Sequence, residues 1–331
     1  MTDVGTTPLA DPQAARPALA LSLTRVGVTD VEKVIRLREG DREQLFSARL
    51  DCSVDLGPDQ KGAHMSRFEE VVNEAIGEVV VGASGLKAEA LAGQVAELMR
   101  DRQDARRAEV TIHARYPEHR PAPVSGILTQ EIYSLFGSAV SSGRGTRRMI
   151  GVAAQGMTAC PCAQDLVADR SRARLLDDGF SPDEVQRVLA AVPVATHNQR
   201  GLGTLQIGLP EDVDADIDAA ELLAVVEGSM SSEIYELMKR SDEAEVVERA
   251  HRNPRFVEDC VREMVGGVLE ALPWLQDRCF VHARQENLET IHQHDVVAER
   301  TGLVGELRDE LHRGRRAAHH VTVREWLDGR A

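Results

Sequence analysis

Aromatic side chains make up only 3% of the 331 residues, so any core must be assembled from Val, Leu, Ile, Ala and Met. Lysine is nearly missing too, with only Lys33, Lys61, Lys87 and Lys239. Acidic residues outnumber basic ones 54 to 39, leaving a net charge of −15. General nucleic-acid binding needs a basic footprint, so nucleic acid is excluded as the main partner. A small anionic substrate is not excluded, because a few local arginines can serve a phosphate. No apolar run approaches the ~20 residues of a membrane span. The opening MTDVGTTPLADPQAARP lacks the basic start and apolar stretch of a signal peptide, and residues 1–18 read as a disordered lead-in. The five cysteines are irregularly spaced, which fits a reducing compartment and a cytoplasmic protein with no membrane partner.

What the chain does have is a hydrophobic content of 42% and a change of hydrophobic period along its length. ALSLTRVGV, EKVIRLR and QLFSARLDCSVDL read as strands, the last by alternation. In SRFEEVVNEAIGEVV the residues Phe68, Val71, Val72, Ala75, Ile76 and Val79 fall at helical spacing, with Ser66 and Glu69 as a capping box. A second helix is predicted over about 86–102, then a strand at AEVTIHARY; EIYSLFGSAV is open between strand and helix. The second half repeats the plan. RRMIGVAAQGMTA and LGTLQIGL read as strands, while SPDEVQRVLAAV, DAAELLAVVEGSM and NPRFVEDCVREMVGGVLEAL read as helices. RCFVHARQEN closes as a strand. Strands, helices, strands, built twice, predict an α+β architecture of antiparallel sheets with helices on one face.

Three polar clusters interrupt this pattern. In MTACPCAQ, Cys160 and Cys162 flank Pro161. The spacing is too close for an ordinary disulfide and tighter than the C-x-x-C of zinc ribbons. Free cysteine is usually a small buried hydrophobe. Here Pro161 ends a strand and a helix can begin over 163–174, and a helix N-terminus favours thiolate. THNQRG places His197 between an apolar stretch and a strand, where on its own it reads first as a turn residue. QENLETIHQHD gathers Glu286, Glu289, His292, His294 and Asp295 after a strand. If it turns helically, Glu289 and His292 share one face in a recurrent metal-ligand spacing; otherwise it is a solvated loop. Glu233, Glu236, Glu243, Glu245 and Glu248 mostly suit a solvated helix face. One thiolate, two or three histidines and a carboxylate together would suit Zn²⁺ or Fe²⁺ with a position open for water.

Together with QKGAHMSRFEE, RYPEHRPAPVSG and SSEIYELMKRSDE, these motifs resemble, in order over about residues 20–300, the type IB GTP cyclohydrolases and their archaeal relatives. The resemblance implies tandem tunnelling-fold modules, here 19–145 and 146–300, with 301–331 as a helical tail. It implies a homotetramer with active sites at subunit interfaces. The implied reaction opens GTP at guanine C8 and releases formate, a hydrolysis of a cyclic amidine that begins folate and pterin biosynthesis. The implied cofactor is a divalent cation: Fe²⁺ first, with Mn²⁺ or Zn²⁺ as alternatives.

Carried over by position, Cys160, His197, Glu233 and His292 match the metal-site residues, and Cys160 is also expected to be catalytic. Glu289, His197 and Cys162 are the candidates for proton handling. Glu248 matches the carboxylate expected to receive guanine N1–H and the 2-amino group, a pattern adenine cannot offer. Arg200 and Lys239 head the candidates for the phosphates, with Lys61, Arg67, Arg115 and Arg120 behind them. The 34 residues between Cys162 and His197 exceed the brief connection of shorter bacterial relatives and look like the archaeal branch. The product is therefore 7,8-dihydroneopterin triphosphate or, as in that branch, the 2′,3′-cyclic phosphate with diphosphate released. The rival readings are another tunnelling-fold activity on a purine or pterin and a non-catalytic assembly that binds one. His319 and His320 read as surface residues of the tail.

Overall fold

The computed structural model describes residues 13, 15–39, 42–78 and 87–330. The chain divides into two units, Met1–Ala114 with Gly137–Arg148, and Arg115–Phe136 with Met149–Ala331. Strands β3 (Arg107–Pro121), β4 (Leu128–Ser142) and β5 (Gly145–Ala159) each contribute residues to both.

In the first unit, β1 (Leu23–Glu39) pairs antiparallel with β2 (Arg42–Leu56), and β2 with β3. Along β2 the alternation Phe46, Ala48, Leu50, Cys52, Val54, Leu56 is buried, as a half-buried strand requires. The two opening strands expected from ALSLTRVGV and EKVIRLR are one strand. The interruption between them is a register shift at Val28/Val31, where Asp30 takes φ 61° and its N–H donates to Asp51 Oδ1 at 2.8 Å. Helix α1 (Met65–Glu78) buries Phe68, Val71, Val72 and Ala75. Val79 lies outside the described residues. Helix α1 begins at Met65, so Ser66 sits inside it rather than capping it, and Glu69 instead pairs with Lys33 at 2.9 Å. Helix α2 (Ala88–Arg102) starts directly on β4: a Cβ on Gly137 would meet the Ala88 backbone at 2.2 Å, which is why no larger residue fits there. EIYSLFGSAV is therefore strand, not helix.

In the second unit the strands follow the hydrogen-bonded order β3-β4-β5-β6-β8-β9, with the two-residue β7 (Ser232–Glu233) added to β5. Strand β6 spans Asn198–Leu209, β8 Phe280–Leu288 and β9 Val296–Leu303. Strand β9, a partner to β8, was not anticipated from the sequence. Helices α3 (Pro161–Asp177) and α4 (Pro182–Ala191) fill the long connection between β5 and β6. They are followed by α5 (Ala219–Gly228), α6 (Arg240–Arg252) and α7 (Val257–Ala271). Helices α5 and α7 lie over β6, since a Cβ on Gly203 would strike Val226 at 2.5 Å and approach Met264 at 3.6 Å.

The tail holds α8 (Val304–Arg313), as LVGELRDELHR predicts, and a short α9 (Val323–Leu327). It is not a free surface appendage. Trp326 is 1% exposed, stacks on Phe280 with centroids 5.5 Å apart, and donates from Nε1 to the Arg278 carbonyl at 3.3 Å. Trp326 also abuts Gly208, five residues from Gly203 on β6, so strand alternation puts it on the face opposite α5 and α7. His319 contacts Glu325 at 3.4 Å and His320 lies 3.0 Å from Arg300, both within the tail's own surroundings. No helix among the described residues is long and apolar enough to cross a membrane.

Helix α6 is fixed by Asp242. Val124 and Ser125 N–H donate to its Oδ1 at 2.8 Å, and Ser125 Oγ and Lys239 N–H donate to its Oδ2 at 2.7 and 2.8 Å. Burial alone would raise this carboxyl, but those hydrogen bonds outweigh it and hold it well below the usual carboxylate range. A folded-state value below the unfolded one means that the stabilisation is complete at neutral pH. It is lost as pH falls below about 4 towards the folded-state value. Asp242→Asn is therefore expected to lower Tm at neutral pH, with the gap to wild type narrowing as pH falls below about 4; a gap constant over that range contradicts this. Removing the Trp326 side chain, in Trp326→Ala, is expected to cost about 3–5 kcal/mol in urea unfolding. A loss within experimental error of zero would show that the tail does not belong to the cooperative fold.

Candidate active site

The second unit gathers its polar clusters where β5, β6 and β8 end. Pro161 occupies the first turn of α3, where its missing N–H costs nothing. That leaves Cys160 as the extended N-cap residue (φ −75°, ψ 119°), its side chain making no capping hydrogen bond. Cys160 N–H donates to the His197 carbonyl at 3.1 Å, and Thr196 Oγ1 donates to the Cys160 carbonyl at 2.7 Å. One residue upstream, the Ala159 carbonyl accepts from Arg255 N–H at 3.0 Å. Gln164 ties the start of α3 to the Val194 and His251 carbonyls at 2.9 and 2.6 Å.

The β6–β8 register, Arg200 opposite Leu288, brings the QENLETIHQHD segment alongside His197. This segment is not helical. After β8 it forms the loop of the β8–β9 hairpin, closed by Glu289 N–H donating to Asp295 Oδ1 at 3.0 Å and by Thr290 Oγ1 donating to the Asn198 carbonyl at 3.1 Å. Glu289 and His292 therefore converge through a turn, not along a helix face. His292 meets His197 edge-on with centroids 6.4 Å apart and stacks on His294 at 5.2 Å.

Cys160, His197, Gln199, Asn287, Glu289 and His292 line one cavity of about 470 Å³. The Glu289 side chain is only 6% exposed, with Oε2 3.6 Å from His197 Nδ1 and no hydrogen-bond partner. Arg255 also lines this cavity, but Nη1 donates to the Gly228 and Ser229 carbonyls at 2.9 and 2.6 Å, which makes it a brace.

Other sequence candidates lie elsewhere. Glu233, on β7 opposite Gly156, accepts from Tyr235 at 2.6 Å and from Arg120 Nη2 at 3.3 Å. Arg120 also bonds Tyr133 at 2.9 Å and Glu227, while Tyr133 donates to Glu227 at 2.8 Å. In this network burial raises Glu227, against the opposing pull of Arg120 and Tyr133. Burial and the hydrogen bond to Glu233 push the Tyr235 hydroxyl up to about 12. Arg120 is therefore occupied by carboxylates within its own unit. Glu248 is exposed on α6 and pairs with Arg252 at 2.7 Å; Lys239 caps that helix; Arg200 and Arg115 are exposed. Cys162 is exposed on α3. In the first unit, Arg67 donates to the Arg102 carbonyl at 2.8 Å and Lys61 is exposed. The remaining cysteines are buried, and burial pushes the Cys52 and Cys260 thiols up to about 12 and raises Cys279 as well.

A thiol, two imidazoles and an orphaned buried carboxylate oxygen form a donor set that suits a borderline divalent cation. Among the described residues, no three His, Cys, Asp or Glu side chains form a ready-made ligand group. Gln199 and Asn287 escaped the sequence reading. The available signal was strand period: each sits two residues from a singled-out residue, His197 or Glu289, and so on the same face.

The family model described as type I GTP cyclohydrolase folE2 matches residues 9–298. GTP cyclohydrolase MptA of Methanococcus vannielii is 40% identical over 308 residues, covering 91% of this chain and 98% of its own. GTP cyclohydrolase MptA of Methanosarcina mazei is 40% identical over 312 residues, covering 92% and 97%. Among solved structures, a uricase from Arthrobacter globiformis superposes with a TM-score of 0.50 at 10% identity, covering 89% of this chain and 96% of that one. That likeness is one of fold alone, and it agrees with the α+β tunnelling-fold class read from the sequence. The chain belongs to the type I GTP cyclohydrolase family described as folE2.

Proposed function

We propose that this GTP cyclohydrolase opens the guanine ring at C8 in the cavity of the second unit, with Cys160, His197 and His292 holding a divalent cation, Fe²⁺ in the first instance. The observation that carries the reading is the convergence of those three donors and the orphaned Glu289 oxygen on one cavity. A bound divalent cation supplies Lewis acidity and makes water nucleophilic near neutral pH. The chain supplies the rest. Two hydrolytic steps at one carbon need proton acceptors and donors, and the Glu289 carboxylate, beside His197 and shielded from bulk water, is placed to take and return a proton. Cys162, exposed one residue beyond Pro161, is the alternative carrier.

Glu233 and Glu248 do not line this cavity in the single chain. Their roles as fourth ligand and guanine anchor, like those of Arg200 and Lys239 towards the phosphates, rest on the family resemblance. A homotetramer with interfacial sites is part of the same proposal, as are module boundaries at 19–145 and 146–300 and a cytoplasmic location. The product is 7,8-dihydroneopterin triphosphate. The α3–α4 helix pair fills the long connection by which the chain resembles the archaeal branch, and that resemblance supports, as a second reading, the 2′,3′-cyclic phosphate with diphosphate released.

Anaerobic incubation with GTP and Fe²⁺ or Mn²⁺ is expected to release formate, and the mass of the pterin separates the two products. Cys160→Ala and chelator-treated protein are expected to release none above background. Full activity in the Cys160→Ala variant would remove this cavity from the reaction. Glu289→Gln, with unchanged circular dichroism, is expected to slow formate release by about 10²-fold or more; an unchanged rate would move proton handling to another group.

A further inference from the structure

A buried amide and a nearby carboxylate face a single nitrogen of His197. Gln199, 6% exposed, lies with its Oε1 3.2 Å from His197 Nδ1, and the buried Glu289 Oε2 lies 3.6 Å from the same atom. An amide oxygen can only accept, so in this contact Nδ1 carries the hydrogen. Nε2 then holds the lone pair. The Glu289 carboxylate, too distant for a hydrogen bond, favours the same hydrogen on Nδ1 electrostatically.

The backbone explains why Gln199 is the partner. His197 precedes β6 and Gln199 is its second residue, so strand period sets both side chains on one face. Gln199 is held in the sheet, where Gly201 pairs with Asn287 and Arg200 with Leu288. It is a more rigid support than Glu289, which stands at the start of the hairpin loop.

We infer that Gln199 is a positioning residue: it fixes His197 in the tautomer whose Nε2 lone pair is offered for metal ligation, and the nearby Glu289 carboxylate favours the same tautomer. This rests on the proposed role of His197 as a ligand. A histidine ligand whose other nitrogen donates to a fixed acceptor is pre-set in ring orientation and more basic, and losing that acceptor typically costs about 10–100-fold in metal affinity. Gln199→Leu removes the acceptor at similar size, while Gln199→Glu keeps one.

Two measurements test this on the full-length chain. In metal-free wild type labelled with ¹⁵N-histidine, the resonances missing from His197→Ala assign His197 and should show a protonated Nδ1 and a bare Nε2. Co²⁺ titration should then give a Kd about 10–100-fold weaker for Gln199→Leu, with Gln199→Glu within a few-fold of wild type. A protonated Nε2 in wild type overturns the inference even if the leucine variant fails to fold. So does a Gln199→Leu affinity equal to wild type when His197→Ala has lost binding. If His197→Ala itself binds Co²⁺ as wild type does, the ligand role of His197 fails, and the positioning role with it.

Discussion

The site depends on one short tie between two strand ends. Cys160 donates its N–H to the His197 carbonyl, and Thr196 returns a hydroxyl to the Cys160 carbonyl. Each bond is worth only about 1 kcal/mol net, but they join residues that directly follow β5 and precede β6, so they hold the backbone of Cys160 against that of His197. Pro161 makes the arrangement possible by ending β5 and starting α3 without sacrificing a needed N–H. The helix pair α3–α4 can then leave the sheet and return without disturbing the junction, because the chain is pinned on both sides of the excursion.

Two kinds of buried carboxylate distinguish structural from chemical roles in the second unit. Glu227 is enclosed by Arg120 and Tyr133, and Asp242 by four donors; both are satisfied and hold elements together. Glu289 is nearly as inaccessible, yet one of its oxygens has no donor. An unsatisfied buried polar atom costs roughly 1–3 kcal/mol. Such a cost persists where a cation or a mobile proton completes the group during function, and the orphan lies in the cavity that Cys160 and His197 line. Arg120 shows the converse: a phosphate candidate by residue type, it is committed to carboxylates instead.

Much of the fold was legible because hydrophobic period is a direct record of burial. Alternation marked β2 and helical spacing marked α1, and apolar stretches of matching length were enough to read β5, β6 and β8 as strands and α2, α5 and α7 as helices. Reading failed where local pattern carries no such record. A bulge at Asp30 looks like the end of a strand. Glu-x-x-His fits a helix face, but Glu289 N–H is captured by Asp295 in a hairpin loop, a contact that no spacing rule encodes. Trp326 gave no sign in a polar tail that it would be buried against Phe280, since the ring it stacks on lies 46 residues away in the sequence. The cavity itself was half legible. Cys160, His197, Glu289 and His292 stood out by type and meet in space. Glu233 and Glu248, singled out with them, point into other networks in the single chain.

In the proposed site Cys160, not its neighbour Cys162, presents sulfur to a divalent cation. Substituting Co²⁺ and recording the near-ultraviolet sulfur-to-cobalt charge-transfer band tests it directly. The band is expected in wild type and in Cys162→Ala, and its loss in Cys160→Ala. A band that survives in Cys160→Ala, or that disappears with Cys162 instead, would contradict it.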